Sequence, residues 1–328
     1  MTGQKSKIIT FSDVLAAQKQ IANIAIQTPL KPSYTLSEKT GKQVWLKLEN
    51  MQPTGAFKLR GAANAILNLT DEQKSKGVVT MSTGNHGKAV AYVTKKLGIR
   101  AVICVSEIVP KVKLEGMRKL GVEVLIYGKD QEEADANAKT ISKEQGLHYI
   151  SAFDDPNVIA GQGTIALEIL EQQPEIDTLI VPLSGGGLMS GIAIAVKTHR
   201  PDIQLIGVSM IHGAAMHLSI KAGKIVDVEE LPSLADALTG CIPKDNKYSF
   251  PICKKYVDAS YLVSEEAIGK AMVYALQNER LILEGGACTP IALLLENLEN
   301  IQGKNIALIC TGDNVDVLSL LKLCEQYR

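Results

Sequence analysis

Four short segments hold residue types and spacings that could do chemistry. The run T-G-A-F-K-L-R-G-A, from Thr54 to Ala62, sets Lys58 behind Phe57 at the start of a helical pattern. The positive end of a helix disfavours a cation, so an amine there should have a lowered pKa, which suits Schiff-base chemistry. A solvated surface lysine is the competing reading. The run S-G-G-G-L follows an apolar stretch and opens another helical pattern. Its backbone, from Ser184 through Gly185, Gly186 and Gly187 to Leu188, permits close approach, and N–H groups at a helix start bind an anion, most naturally a phosphate. A tight turn without ligand competes. The run S-T-G-N-H-G, comprising Ser82, Thr83, Gly84, Asn85, His86 and Gly87, offers N–H groups, a hydroxyl and an amide to a carboxylate. An ordinary helix cap is its alternative. Thr311 follows the last apolar strand and reads as a site hydroxyl or a turn residue. There is no G-x-G-x-x-G and no Walker sequence, so dinucleotides and ATP lose ground.

These loops need elements to hold them. Ser12 is expected to cap a helix of about four turns that Thr28-Pro29 stops. Val44 to Leu48 reads as a strand, and Glu49 to Gly55 as a polar loop. From Ala56 the residues Phe57, Ala62, Ala65, Ile66 and Leu69 fall at helical spacing. Strands are expected at 77–81, 100–105, 122–127, 147–151, 178–183, 204–210 and 305–310, with helical patterns between nearly all of them. Such alternation argues a mostly parallel α/β sheet covered on both faces. In open α/β sheets ligands bind beyond the carboxyl ends of strands. The loops at 82–87, 184–188 and 311–314 all follow strands, so if they converge they build one polar site.

Composition narrows the class further. Lys plus Arg and Asp plus Glu are each 35, so the zero net charge excludes bulk-electrostatic nucleic-acid binding and a polybasic membrane anchor. Apolar residues at 46% and charged ones at 21% describe a soluble globular chain, not a disordered one. The uncharged stretch Thr178 to Val196 is long enough for a membrane span, but Pro182 and three glycines turn it into strand, loop and helix. The first twenty residues lack the apolar centre of a signal peptide. The six cysteines show no C-x-x-C or secreted framework, and the five histidines no H-E-x-x-H. Reduced thiols in a cytoplasmic protein and no zinc are the expectation.

As an ordered set, the motifs resemble the fold-type II pyridoxal-phosphate enzymes, particularly the serine/threonine dehydratase and serine racemase family. The carriers are Glu49 to Pro53, Phe57 to Ala62, Ser82 to Gly87, the F-D-D-P turn from Phe153 to Pro156, Ile159 to Thr164, Ser184 to Leu188 and Gly312 to Asp316. The resemblance implies an α/β fold of the tryptophan synthase β type, with two open, twisted, mostly parallel sheets flanked by helices. It implies a large cofactor domain formed by 1–75 and 151–328, a small domain at 76–150, and a homodimer. Pyridoxal 5'-phosphate is the implied cofactor. Lys58 is then the Schiff-base lysine and Phe57 lies near the ring. Asn85 meets the ring hydroxyl, 184–188 holds the phosphate, and Thr311 meets the pyridine nitrogen. Ser82, Thr83, Gly84, Asn85 and His86 receive the substrate.

Several positions depart from the family pattern. Ala56 stands where serine usually precedes Phe-Lys. Thr83 stands where racemases place the serine that exchanges a proton opposite the lysine, and its stiffer χ1 weighs against racemisation. Phe153 is the residue dehydratases favour, and Thr311 replaces the commoner serine. Ser209 and Ala215 occupy positions where racemase-like members place acidic cation ligands, so no metal is expected. The segment Val208 to His217 looks like a dehydratase branch linked to hydroxyectoine breakdown. No length remains for the regulatory domain of biosynthetic threonine dehydratases. The activity implied is β-elimination of a β-hydroxy amino acid to a 2-oxo acid and ammonia, with Lys58 and Thr83 as catalytic residues. Serine racemisation and action on a hydroxyectoine-derived amino acid are the alternatives within the family. A phosphate-ligand sensor without turnover is the alternative outside it.

Overall fold

Apolar runs rich in Val, Ile and Leu become the strands of two separate sheets in the computed structural model, which describes residues 8–82, 84–107, 109, 111–296, 299 and 301–327. The described strands are β1 (Leu30–Pro32), β2 (Gln43–Leu48), β3 (Val78–Met81), β4 (Ala101–Val105), β5 (Glu123–Ile126), β6 (His148–Tyr149), β7 (Thr178–Pro182), β8 (Gln204–Met210), β9 (Ala259–Val263) and β10 (Asn305–Cys310). The larger sheet runs β1-β2-β10-β7-β8-β9 and the smaller β5-β4-β3-β6. All described pairings are parallel except β1 with β2. Every residue of β4 and of β7 is buried, as parallel strands covered on both faces require.

The seven strands expected after the first two helices are present, in the anticipated order. Two were not anticipated: β1 is three residues on an edge, and β9 is half-buried along most of its length. The first helix also differs. Thr10, not Ser12, caps it, through a reciprocal pair with Asp13, and the helix Phe11–Ile21 ends well before Pro29. An N-cap must stand outside the helix with extended backbone, and Thr10 does so at φ −119° and ψ 167°.

Three helices meet where the glycines allow. Helix Pro156–Gln172 packs against both Lys58–Leu67 and Gly187–Lys197. A Cβ on Gly161 would lie 2.6 Å from the carbonyl oxygen of Arg60, and one on Gly191 would lie 2.3 Å from that of Ile159. These crossings are backbone to backbone. They fix the helix that begins with Lys58 relative to the helix that begins with Gly187. Helix Lys58–Leu67 also packs on Asn85–Leu97, which covers the smaller sheet, so one short helix touches elements of both sheets. Among the described residues no helix is long and apolar enough to cross a membrane.

Candidate active site

Strand order brings the three loops together. β10 lies between β2 and β7, so Thr311 emerges between the chain that leads to Lys58 and the chain that leads to Ser184. The seam is closed by backbone bonds: Phe57 N–H donates to Thr311 O at 3.0 Å, and Ala56 bridges Gly312. Asp313 N–H donates to Gly55 O at 3.0 Å, where Gly55 has φ +72°. Ala56 is fully buried against Gly312, a Cβ on which would meet the Ala56 methyl at 3.2 Å.

Lys58 is the first residue of its helix, which carries no side-chain cap. Its Nζ donates to Ala152 O at 2.7 Å and lies 5.3 Å from the Phe57 ring centre. Burial lowers the amine's pKa to about 8, although the Glu284 carboxylate pulls it upward. The amine is therefore poised to gain or lose a proton near neutral pH.

One residue beyond Ala152, Phe153 forms the back wall of the glycine loop. A Cβ on Gly185 would sit 2.6 Å from the Phe153 ring, and one on Gly187 2.7 Å from its Cα. Gly186, at φ +85°, is backed by Met216 and Cys253 at 2.5 and 2.9 Å from a built Cβ. No side chain fits at these three positions. Gly186 is the N-cap of helix Gly187–Lys197 and supplies no side-chain hydrogen bond, which leaves first-turn N–H groups for an anion. Ser184 is half-buried, and the Leu188 side chain points into the core, so Leu188 offers only its backbone.

The loop at 82–87 presents mixed roles. Ser82 Oγ accepts from Gly84 N–H at 3.2 Å. Helix Asn85–Leu97 starts without a side-chain cap. His86 is buried, with Nε2 3.3 Å from Ile150 O, and burial together with the nearby Lys58 lowers its pKa to about 3. A neutral, core-facing imidazole can offer a substrate only its backbone N–H. Thr83 lies outside the described residues. Asn85 Nδ2 donates to both oxygens of Glu284, at 2.8 and 3.0 Å, and its Oδ1 accepts from Asn314 at 2.6 Å. Thr311 is buried.

Several residues that hold this arrangement had no role legible in the sequence. Glu284 had no signal, because it lies in a loop between helices; its N–H donates to Gly312 O at 3.0 Å. Arg60, on the helix that Lys58 begins, forms a buried charge cluster with Glu49, Glu168 and Lys47. Arg60 donates to Glu49 at 2.8 Å through both Nε and Nη2, and to Glu168 at 2.5 and 2.8 Å through Nη1 and Nη2. Lys47 Nζ reaches Glu168 at 2.6 Å and Thr28 O at 2.6 Å. Burial alone would raise the Glu49 carboxyl, but Arg60 overcompensates and its pKa is lowered. The signal available was Arg60 on an otherwise apolar helix face. Asp154, named only as part of the F-D-D-P turn, had no role assigned: its carboxylate accepts from the N–H groups of Lys247, Tyr248 and Ser249 at 2.8, 2.9 and 2.9 Å, tying the turn to the helix behind Gly186.

Ser209 Oγ faces Met210 Sδ at 3.3 Å, and Ala215 is buried in the core. Among the described residues no group of three or more His, Cys, Asp or Glu lies together as a metal site would need. A cavity of about 320 Å³ lined by Leu67, Lys74, Ser75, Leu97, Gly98 and Ile99 shares no residue with the site.

A glycine cradle that admits no Cβ, an uncapped helix N-terminus and a buried amine are together what a phosphorylated aldehyde needs: an anion seat and a nucleophile. Comparisons with known proteins agree. The family model for pyridoxal-phosphate-dependent enzymes matches residues 21–312. The chain is 39% identical to a catabolic L-threonine dehydratase of Staphylococcus aureus, over 99% of this chain and 94% of that protein. It is 38% identical to an L-threonine ammonia-lyase of Thermotoga maritima, over 94% of this chain and 77% of that protein. The solved structure of maize serine racemase superposes with a TM-score of 0.91 at 33% identity, covering 98% of each chain.

Proposed function

The chain belongs to the pyridoxal-phosphate-dependent enzymes, and from that premise we propose that it catalyses β-elimination from a β-hydroxy amino acid, of the threonine or serine type, to a 2-oxo acid and ammonia. The observation that carries this reading is Lys58: a buried amine with a pKa of about 8, held on Ala152 O directly before the residue that backs the glycine loop.

Lys58 would hold the cofactor's aldehyde carbon, the N–H groups of 184–188 its phosphate, and the Thr311 hydroxyl its ring nitrogen. When bound, the cofactor supplies an electron sink beside the substrate's α-carbon. The remaining work falls to the chain. N–H groups from Asn85 to Gly87, at an uncapped helix start, orient the substrate carboxylate. Lys58 Nζ would take the α-proton, a role matched by its lowered pKa. Phe57 and Phe153 border the amine and the glycine loop and keep water from that side. Thr83 is assigned the opposite face by the motif alone. Changing Lys58 to Ala should abolish both turnover and the visible absorption of the bound cofactor. Retention of either places the chemistry on another residue.

A second reading, racemisation, is favoured by the likeness to maize serine racemase. Incubation with L-serine and L-threonine decides between them: keto acid and ammonia should accumulate well ahead of D-isomer, and D-amino acid as the main product reverses the ranking. A substrate from hydroxyectoine breakdown is tested in the same panel. The division into a large domain at 1–75 and 151–328 and a small one at 76–150 is supported by the two sheets. A cytoplasmic homodimer is supported by six free cysteines and by Val317, Leu318 and Leu321, exposed on one helix. Sedimentation equilibrium tests the dimer.

A further inference from the structure

One line of side chains runs into the site from Lys88, which lies just inside helix Asn85–Leu97 and is half-buried. The Lys88 ammonium donates to Oδ1 of Asn314. Asn314 Nδ2 donates in turn to Asn85 Oδ1 at 2.6 Å and to Thr54 O at 3.2 Å. Asn85 Nδ2 then donates to Glu284 at 2.8 and 3.0 Å. Each amide could turn end for end and exchange its donor with its acceptor. Here both are fixed from the outside, by Lys88, which only donates, and by Thr54 O and the Glu284 carboxylate, which only accept. A turned Asn85 would set its oxygen against Glu284, acceptor to acceptor.

We propose that Lys88 is a positioning residue for the site: acting through Asn314, it fixes which end of the Asn85 amide meets Glu284. The inference rests on the reading that Lys58 and Asn85 bracket the bound cofactor. Lys88 also acts on the Asp313 carboxylate. Burial raises the Asp313 carboxyl and Lys88 partly offsets that, so Lys88 could act on Asp313 by charge alone. Donation and charge separate cleanly by substitution. A glutamine can donate to Asn314 Oδ1 without a charge, and a methionine can do neither.

The experiment uses the holoenzyme and its Lys88→Gln, Lys88→Met and Lys58→Ala variants. It reads visible circular dichroism of the bound cofactor, along with kcat and KM for L-threonine. Lys88→Met should change the dichroic band and lower kcat by about tenfold, the scale of one charge-assisted hydrogen bond. Lys88→Gln should keep the band and stay within about twofold of the parent rate. Equal damage in Lys88→Gln and Lys88→Met, or an unchanged band in Lys88→Met, overturns the relay. Loss of the band in Lys58→Ala alongside either result leaves the assignment of Lys58 standing and removes only the relay. Retention of the band in Lys58→Ala overturns that assignment and this inference with it.

Discussion

Arg60→Met is the sharpest test of the buried charge cluster on the helix that Lys58 begins. Arg60 is 1% exposed and its guanidinium is shared by Glu49 and Glu168, so the substitution leaves two buried carboxylates with Lys47 as the remaining cation of the cluster. Removing one partner of a buried ion cluster costs about 3–5 kcal/mol. With an unfolding entropy of roughly 2.1 cal/mol/K per residue, 328 residues give about 0.7 kcal/mol/K, so Tm should fall by about 4–7 °C. The effect has a sign in pH. In the parent protein the Glu49 pKa is lowered, so its contribution is present above the unfolded carboxyl value of about 4.3 and is lost as pH falls through the folded value. In the variant, burial without Arg60 raises the carboxyl, so the protonated form is favoured and stability is lost as pH rises. The Tm gap should therefore be narrow near pH 4 and widest at neutral pH. Calorimetric scans at pH 4.5 and 7.5 provide the measurement. A gap below 1 °C, or one independent of pH, refutes the account of the cluster.

The other predictions are simpler. Gly185→Ala drives a methyl to 2.6 Å from the Phe153 ring, so the cofactor's Kd in an absorption titration should weaken about tenfold, for an overpacking cost of about 1–3 kcal/mol; an unchanged Kd contradicts the cradle. Arg280 is the sole non-glycine residue with positive φ among those described, at +62°, so Arg280→Gly should relieve strain and raise Tm by about 1 °C after glycine's entropic cost. A lower Tm would show that the side chain's bond to Gln277 O outweighs the strain. Initial rates should survive EDTA, because Ser209 and Ala215 offer a hard cation no carboxylate. A large loss that Mg²⁺ specifically restores would mean other oxygens build a site.

The fold was legible wherever burial makes a strand continuously apolar. β4, β7 and β10 are buried almost throughout and stand out in the sequence, while β1 and β9 sit on edges, where half-burial erases the pattern. The glycine loop and Lys58 were legible for a similar reason: three successive glycines and a lysine at a helix start violate local preference, and such violations mark sites. Glu284 and Lys88 were not legible, and Asn314 was read only as part of the 311–314 loop, without its partners. Each is an ordinary polar residue whose partner lies far along the chain, as with Asn85 and Glu284, 199 positions apart. The 82–87 motif reads His86 as a substrate contact; its ring turns inward to Ile150 O, which leaves the backbone N–H for that role.

The two-residue strand β6 acquires a second meaning from the five residues at 151–155. It joins β3 through His148 N–H to Gly77 O and Ile150 N–H to Val79 O, both at 2.9 Å. Beyond it the chain holds Ser151 Oγ beneath the turn, Ala152 O on Lys58, Phe153 on the glycine loop, Asp154 on residues 247–249 and Asp155 on the start of helix Pro156–Gln172. A ligand that needs Lys58 and the glycine loop in place binds only molecules in which this run is formed. Local opening of β6 and cofactor occupancy are then exclusive states of one equilibrium. Solvent exchange at the His148 and Ile150 amides slows as free cofactor rises above its Kd, so an edge strand of the small sheet becomes a gauge of a site built mainly on the large one.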